Sequence, residues 1–248
     1  HRSKEFQSVI EETKSLLFDL MNLTPDHEIV FIQGGGTMQF LMESYNFLHT
    51  RAAYADTGVW AHKARDSAAF FGEVYDANSS KDRIYSYIPE DCLIKPETDY
   101  LHITTNNTIY GTKFHTLPNT KGKMLVADMS SSIISCPVNV RDYALIYAGA
   151  QKNMGPSGLT VVIVREDLIG NARPETPVML NYKTQADNES MYNTPPCYAI
   201  YIAGLVYEWA LSLGGLEEME KRNRKKAAVL YDYLDSSALF KPTAEKAF

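Results

Sequence analysis

Hydrophobic and polar positions follow two rhythms along the 248-residue chain. Between Lys4 and Met21, Phe6, Val9, Ile10, Leu16, Leu17, Leu20 and Met21 recur at helical spacing, and Ser3 stands where a helix cap belongs. Glu28 to Gln33 is a compact apolar run, a strand ended by Gly34-Gly35-Gly36, and Thr37 to Leu48 returns to the helical period. Ala52 to Asp56 predicts a short strand, Gly58 a turn, and Trp60 to Phe71 a helix. Glu73 to Tyr75, Tyr100 to Thr104, Met124 to Ala127 (closed by Asp128), Ala144 to Tyr147 and Leu159 to Val164 read as further strands. After Pro195-Pro196 the spacing is helical again, from Tyr198 to Leu213 and from Leu216 to Leu234. Polar, proline-bounded Asn171 to Pro196 is the longest expected loop, and no repeat or low-complexity tract interrupts the pattern.

Strands alternating with helices predict an α/β domain with a mostly parallel sheet flanked by helices. In such a sheet ligands bind beyond the carboxyl ends of the strands. Four polar signatures fall there: Gly34-Gly35-Gly36-Thr37, Asp56-Thr57-Gly58, Thr105-Asn106-Asn107-Thr108 and Asp128. Their convergence is the sequence's main argument for a site.

Composition narrows the partners. A hydrophobic fraction of 45% and a charged fraction of 22% are those of an ordinary globular domain. No apolar run approaches the roughly 18 residues of a membrane span. Cys92, Cys136 and Cys197 lie far apart with no CxxC pair, which argues for a reducing, cytoplasmic setting and against a disulfide framework or a metal site. A formal net charge of -6 disfavours nucleic acid. The one basic run, Lys221 to Lys226, lies in a helical pattern and reads as a solvated helix face. His1 is not an initiator and no leader precedes the first helix, so the chain reads as a piece of a longer protein.

Each strand-end motif has a plain reading and a chemical one. Glycines between a strand and a helix let backbone N–H groups crowd an anion at the helix start, although Gln33-Gly34-Gly35-Gly36-Thr37 is equally a tight turn. It is neither GxGxxG nor GxxxxGK[ST], so dinucleotide and P-loop readings lose ground. Asp128 is either a cap or a carboxylate for a cationic ligand nitrogen, and Trp60 either a core residue or a stacking platform. Lys152 is the odd residue. It follows Ala148-Gly149-Ala150 and precedes Gly155-Pro156, small neighbours that predict a buried amine with a planar ligand close by. A phosphate cup, an acid for a ring nitrogen and such an amine are the set that pyridoxal 5'-phosphate requires.

The stretches His1-Arg2-Ser3-Lys4-Glu5-Phe6, Gln33-Gly34-Gly35-Gly36, Asn107-Thr108-Ile109-Tyr110-Gly111, Asp128-Met129-Ser130-Ser131, Ala148-Gly149-Ala150-Gln151-Lys152-Asn153 and Asn193-Thr194-Pro195-Pro196 carry a specific likeness. In order and over nearly the whole chain, they resemble the phosphoserine aminotransferases, class V pyridoxal-phosphate enzymes of fold type I. The resemblance implies that Lys152 forms the Schiff base, Trp60 stacks on the ring, Asp128 pairs with the pyridinium nitrogen and Thr108 hydrogen-bonds the cofactor. It implies that Gly36, Thr37 and Gln151 hold the phosphate, with Asn193 and Thr194 reaching it from the other subunit of a homodimer. Arg2 and His1 would meet the anionic substrates, L-glutamate and 3-phosphohydroxypyruvate, in serine biosynthesis. Residues 1–215 would be the cofactor-binding large domain and 216–248 the start of a helix leading to a small C-terminal domain.

Cys136, Asn139 and Ala144 depart from the family's usual residues, all away from the cofactor set. Two rival readings differ in class. A desulfurase or another class V aminotransferase would share the cofactor, but a desulfurase needs a cysteine on a mobile loop, and none of the three sits in an obvious one. A nucleic-acid module built on Lys221 to Lys226 would bind in a salt-sensitive way, against the acidic total.

Overall fold

The computed structural model describes residues 1–248 and is built on a seven-stranded sheet. Its strands are β1 (His27–Gln33), β2 (Arg51–Asp56), β3 (Glu73–Ser79), β4 (Thr98–Thr104), β7 (Met124–Asp128), β8 (Leu145–Gly149) and β9 (Leu159–Arg165), in the order β1-β9-β8-β7-β4-β2-β3. A two-stranded ribbon, β5 (Asn106–Asn107) and β6 (Thr112–Lys113), stands beyond the end of β4. The pairs from β3 across to β8 are parallel, and β9 alone runs against its neighbours β8 and β1. The predicted mostly parallel sheet is present.

Six helices cover it: α1 (Lys4–Leu20), α2 (Gln39–Phe47), α3 (Val59–Ala68), α4 (Tyr182–Asp187), α5 (Cys197–Ser212) and α6 (Gly215–Ser236). Ser3 caps α1 as its position predicted, accepting from the N–H of Phe6 at 3.4 Å. One face of the sheet buries Phe31, Leu101, Ile103, Ala148 and Val161 with Ile10 and Leu17 of α1 and Ile200 and Ala203 of α5. The other buries Val30, Tyr54, Tyr100, Val126, Tyr147 and Val162 with Phe40 and Phe47 of α2, Ala64 of α3 and Tyr182 of α4. Strands buried on both faces read as near-continuous apolar runs, which is why they were legible.

The segment from Asn171 to Pro196 is not the plain loop its polarity suggested. It contains a 3-10 turn, Val178–Leu180, and α4, whose Asn181 accepts from the N–H of Lys183 at 2.9 Å. Buried Ser190 accepts from the N–H of Phe31 at 2.9 Å, satisfying a donor on the outer edge of β1. Lys221 to Lys226 lies on α6 as a solvated face, with Arg222 paired to Glu218 and Arg224 to Glu220 one turn earlier. No single helix is long and apolar enough to cross a membrane.

A buried polar layer lies between the sheet and α2. The Tyr54 hydroxyl donates to Glu43 Oε1 at 2.9 Å and lies 2.8 Å from the Tyr100 hydroxyl, while His102 Nε2 meets the Tyr147 hydroxyl at 2.9 Å. Burial holds the Glu43 carboxyl well above the usual range, and the Asp128 charge adds to the effect against the opposing Tyr54 bond. Burial also drives His102 down to about 3, so its ring is neutral.

Candidate functional site

The strand-end signatures meet at the carboxyl edge of the parallel strands. Register places Thr104 of β4 beside Asp128 of β7, and Asp128 beside Tyr147 of β8. Asp128 is buried and accepts from the N–H of Ser130 at 2.8 Å. Burial raises its carboxyl above the ordinary aspartate value, and the Ser130 contacts and the Lys152 charge pull the other way. A buried carboxyl so sparsely supplied with donors has the character of a partner for a ligand N–H.

Beyond β1 the chain turns through Gly34 and Gly35 into a 3-10 turn, Gly36–Met38, and then α2. The N–H groups opening such a turn have no intrahelical acceptor. Gly36 is pressed from below: a methyl group there would lie 3.0 Å from Ser130 Oγ, 3.8 Å from Gly149 N and 4.0 Å from the Tyr147 ring. Ser130 Oγ also accepts from the N–H of Gly149 at 3.1 Å. Gln151 follows, its side-chain amide folded against Gly149, where a methyl group would lie 2.6 Å from Oε1.

Lys152 sits on the connection between β8 and β9, and its Nζ donates to Thr108 Oγ1 at 2.8 Å. The amine is exposed, which corrects the expectation of a buried lysine. Ala148, Gly149, Ala150 and Met154 are the buried members of this segment. The small residues therefore let the strand end pack tightly, and they do not enclose the amine.

Trp60 is half-buried at the first turn of α3, with Lys63 Nζ 4.8 Å from its ring centroid. The turn before it abuts the Thr108 loop, since a methyl group on Gly58 would lie 2.8 Å from Asn107 Oδ1 and 3.2 Å from the Tyr110 ring. Gly36, Thr37, Asp128, Gln151, Lys152 and Thr108 are thus brought to one edge, with the start of α3 joined to it.

His1, Arg2 and Thr194 form a second group. His1 Nε2 is 3.4 Å from Thr194 Oγ1 and accepts from Arg2 Nε at 3.2 Å, while the Gln33 amide donates to the Thr194 carbonyl. Asn193 is exposed beside them. Within one chain, the contacts of Thr194 are with His1 and Gln33, not with Gly36, Gln151 or Lys152. Sequence reasoning missed Ser130 and Asn107 as connectors. The spacing of Asp128 and Ser130 is that of an Asx turn, a signal that was available.

Fold and site together define a class V aminotransferase domain, and the chain belongs to that family: the family model for aminotransferase class-V matches residues 1–247. Its relatives carry a more particular name. The phosphoserine aminotransferase of Desulfotalea psychrophila is 47% identical over 249 residues, a match covering 99% of this chain and 69% of that one. A phosphoserine aminotransferase solved to follow radiation damage of its Schiff base is 43% identical with a TM-score of 0.97, covering 100% of this chain and 70% of its own. The pyridoxal-phosphate-bound phosphoserine aminotransferase of Trichomonas vaginalis is 31% identical with a TM-score of 0.94, covering 99% of this chain and 70% of its own. The expected fold type I architecture and the expected family both hold.

Proposed function

We propose that the chain is the cofactor-binding part of a phosphoserine aminotransferase. It would move an amino group from L-glutamate to 3-phosphohydroxypyruvate, yielding 2-oxoglutarate and O-phospho-L-serine. The single observation that carries this reading is the convergence, at one sheet edge, of the Lys152 amine on Thr108, the buried Asp128 carboxyl and the open N–H groups of Gly36 and Thr37.

These residues fit pyridoxal 5'-phosphate. Gly36, Thr37 and Gln151 would hold the phosphate, at a turn packed so closely on Ser130 that a side chain at Gly36 would displace it. Asp128 would face the ring nitrogen, Thr108 would hydrogen-bond the cofactor, and Trp60 would lie over the ring. When bound, the cofactor supplies an aldehyde for covalent attachment and a ring able to accept electrons from the substrate's Cα. Lys152 serves as the attachment point and as the base and acid that removes and returns the Cα proton. Asp128 keeps the ring nitrogen protonated, since an anion in a buried setting strongly favours a cation beside it. Thr108, by holding the lysine amine, orients it for both tasks.

We assign Arg2 and His1 to the anionic groups of the substrates, and Asn193 and Thr194 to the phosphate of the neighbouring site in a homodimer. Within one chain Thr194 bonds to His1 and Gln33 and makes no hydrogen bond to Gly36, Gln151 or Lys152, which supports that division. Residues 1–215 form the large domain, and α6 leads from it toward a small domain. The reading places the protein in the cytoplasm. The test adds pyridoxal phosphate to the purified chain, looks for a visible absorption band, fixes it with borohydride and maps the modified peptide. Modification at Lys152, with 2-oxoglutarate released from glutamate and phosphohydroxypyruvate, is expected. Modification at another lysine would overturn the assignment.

A further inference from the structure

The signature Asp56-Thr57-Gly58 has no part in the roles assigned so far, yet it occupies the turn between β2 and α3 at the edge of the site. Asp56 is buried, and three elements converge on its carboxylate. Ser79 Oγ, at the end of β3, donates to Oδ2 at 2.9 Å. The Tyr85 hydroxyl donates to Oδ1 at 3.3 Å, and His62 Nδ1 of α3 lies 3.7 Å from Oδ1. His62 is in turn contacted by Arg65 Nη2 at 3.1 Å, and Arg65 is held by both oxygens of Asp76 on β3 at 2.6 and 2.7 Å. The first two turns of α3 are therefore tied to the sheet, His62 through Asp56 and Arg65 through Asp76.

Tyr85 is brought there against backbone preference. Ile84 and Tyr85 both adopt the left-handed conformation, with φ of 53° and 57°. Two consecutive bulky residues in that region, one of them β-branched, are costly and persist only where their surroundings impose them. What the strained pair accomplishes is to send a buried tyrosine to Asp56 and set its ring 4.7 Å from that of Tyr110. Tyr110 and Asn107 are the residues that crowd Gly58, and Asn107 Oδ1 accepts from Thr57 Oγ1 at 3.3 Å. Asn107 directly precedes Thr108, the partner of Lys152. The turn ahead of Trp60 is clamped from both sides, by the Asp56 carboxylate and by the Thr108 loop.

We propose that Asp56 and Tyr85 are positioning residues for the site: they fix the Thr57-Gly58 turn against Asn107 and so set where Trp60 stands relative to Thr108 and Lys152. Neither touches cofactor or substrate; they act through the indole and the loop. The inference rests on the site reading above, and the experiment separates the two.

The measurement uses the 248-residue chain carrying Trp209→Phe, so that Trp60 is the one remaining tryptophan. Pyridoxal phosphate is titrated while indole quenching and the visible circular dichroism of the bound cofactor are recorded. Tyr85→Phe and Asp56→Asn are compared with Tyr207→Phe, which removes a buried hydroxyl from the opposite face of the sheet, where it contacts Met154 Sδ at 3.3 Å. Tyr85→Phe is expected to weaken cofactor binding about tenfold and to lose most of the dichroic band and of the quenching even at saturation. Tyr207→Phe, a purely structural loss, is expected to keep both signals. Should Asp56→Asn fail to fold, Tyr85→Phe decides alone. Parent-like quenching, dichroism and affinity in Tyr85→Phe would overturn the inference while leaving the site reading intact. A parent chain that acquires no cofactor band overturns the site reading, and this inference with it.

Discussion

Lys152 Nζ donates to Thr108 Oγ1 across 2.8 Å, joining the connection after β8 to the ribbon beyond β4. An exposed ammonium with a single hydroxyl partner keeps two further donors free. Lys152→Ala should therefore leave stability within about 0.5 kcal/mol of the parent, as exposed substitutions generally do. Transamination should fall by at least roughly a hundredfold, with no borohydride-fixed cofactor at this position. Urea unfolding and a glutamate-dependent assay check the two halves. Substantial turnover in the variant would remove Lys152 from the mechanism.

Asp128→Asn should retain the fold and bind cofactor more weakly. A charge-assisted hydrogen bond contributes about 1.5–3 kcal/mol, so cofactor affinity should drop roughly ten- to hundredfold. Cα proton exchange, followed by NMR of deuterated glutamate, should slow beyond what reduced occupancy explains. Parent-like binding and exchange would make Asp128 a turn cap for Ser130 and nothing more.

Adjacent glycines offer an internal control on the phosphate cradle. A methyl group on Gly36 would sit 3.0 Å from Ser130 Oγ, whereas one on Gly35 would meet nothing within 4 Å. Gly36→Ala should raise the dissociation constant for pyridoxal phosphate about tenfold, and Gly35→Ala by about twofold or less, read from equilibrium titrations. Equal effects would mean that the packing of Gly36 on Ser130 does not position the phosphate-binding turn.

The buried layer under Asp128 predicts a pH dependence of definite sign. His102 has a native pKa lowered to about 3, so the unfolded chain takes up its proton near pH 6.5 while the native chain does not. This contribution is fully present above about pH 6.5 and is lost at roughly 1.4 kcal/mol per unit as pH falls toward 3. Glu43, raised by burial, acts oppositely: its native form binds the extra proton, and stability rises as pH falls through its native pKa toward the unfolded value of 4.5. Relative to the parent, His102→Phe should gain stability between pH 7 and pH 4, and Glu43→Gln should lose it. Unfolding curves at both pH values measure the difference, and parallel behaviour of the two variants would contradict it.

If Asn193 and Thr194 serve the neighbouring site, two inactive proteins should complement each other. Mixing Lys152→Ala chains with chains altered at both Asn193 and Thr194 gives heterodimers holding one undamaged site and one doubly damaged one. Activity above that of either parent dimer is expected after subunit exchange. Absence of any recovery would assign the loop to its own chain.

The sequence alone supports a sound account of the sheet because all its strands but the edge strand β3 are buried on both faces. Glu28 to Gln33, Met124 to Ala127 and Leu159 to Val164 are apolar without alternation, and their polar ends mark the site edge. The α4 segment was harder to read, since a six-residue helix bearing one buried aromatic, Tyr182, has no periodicity to detect. The exposure of Lys152 was misjudged for a related reason. Composition reports which residues are small, but whether they enclose a neighbour or pack beneath it depends on which side of the turn each occupies. Asp56 and Tyr85 meet only through a left-handed pair of residues, a conformation that the letters Ile84 and Tyr85 do not announce.

The reversed strand β9 also closes the site with contacts of very different loop length. Ser130 and Gly149 meet across 19 positions of chain and Lys152 and Thr108 across 44, but Thr160 Oγ1 reaches the Gly34 carbonyl across 126. Closing the longest of these loops costs only about 1.5–2 kcal/mol more than closing the shortest, so the edge strand is not excluded on energetic grounds. Loop length alone predicts that it closes last, because distant segments search longer, and pulse-labelled hydrogen exchange that protected β1 amides before those of β7 and β8 would contradict that order. On that expectation the lysine and the aspartate meet first, and the glycine turn after β1 joins them last.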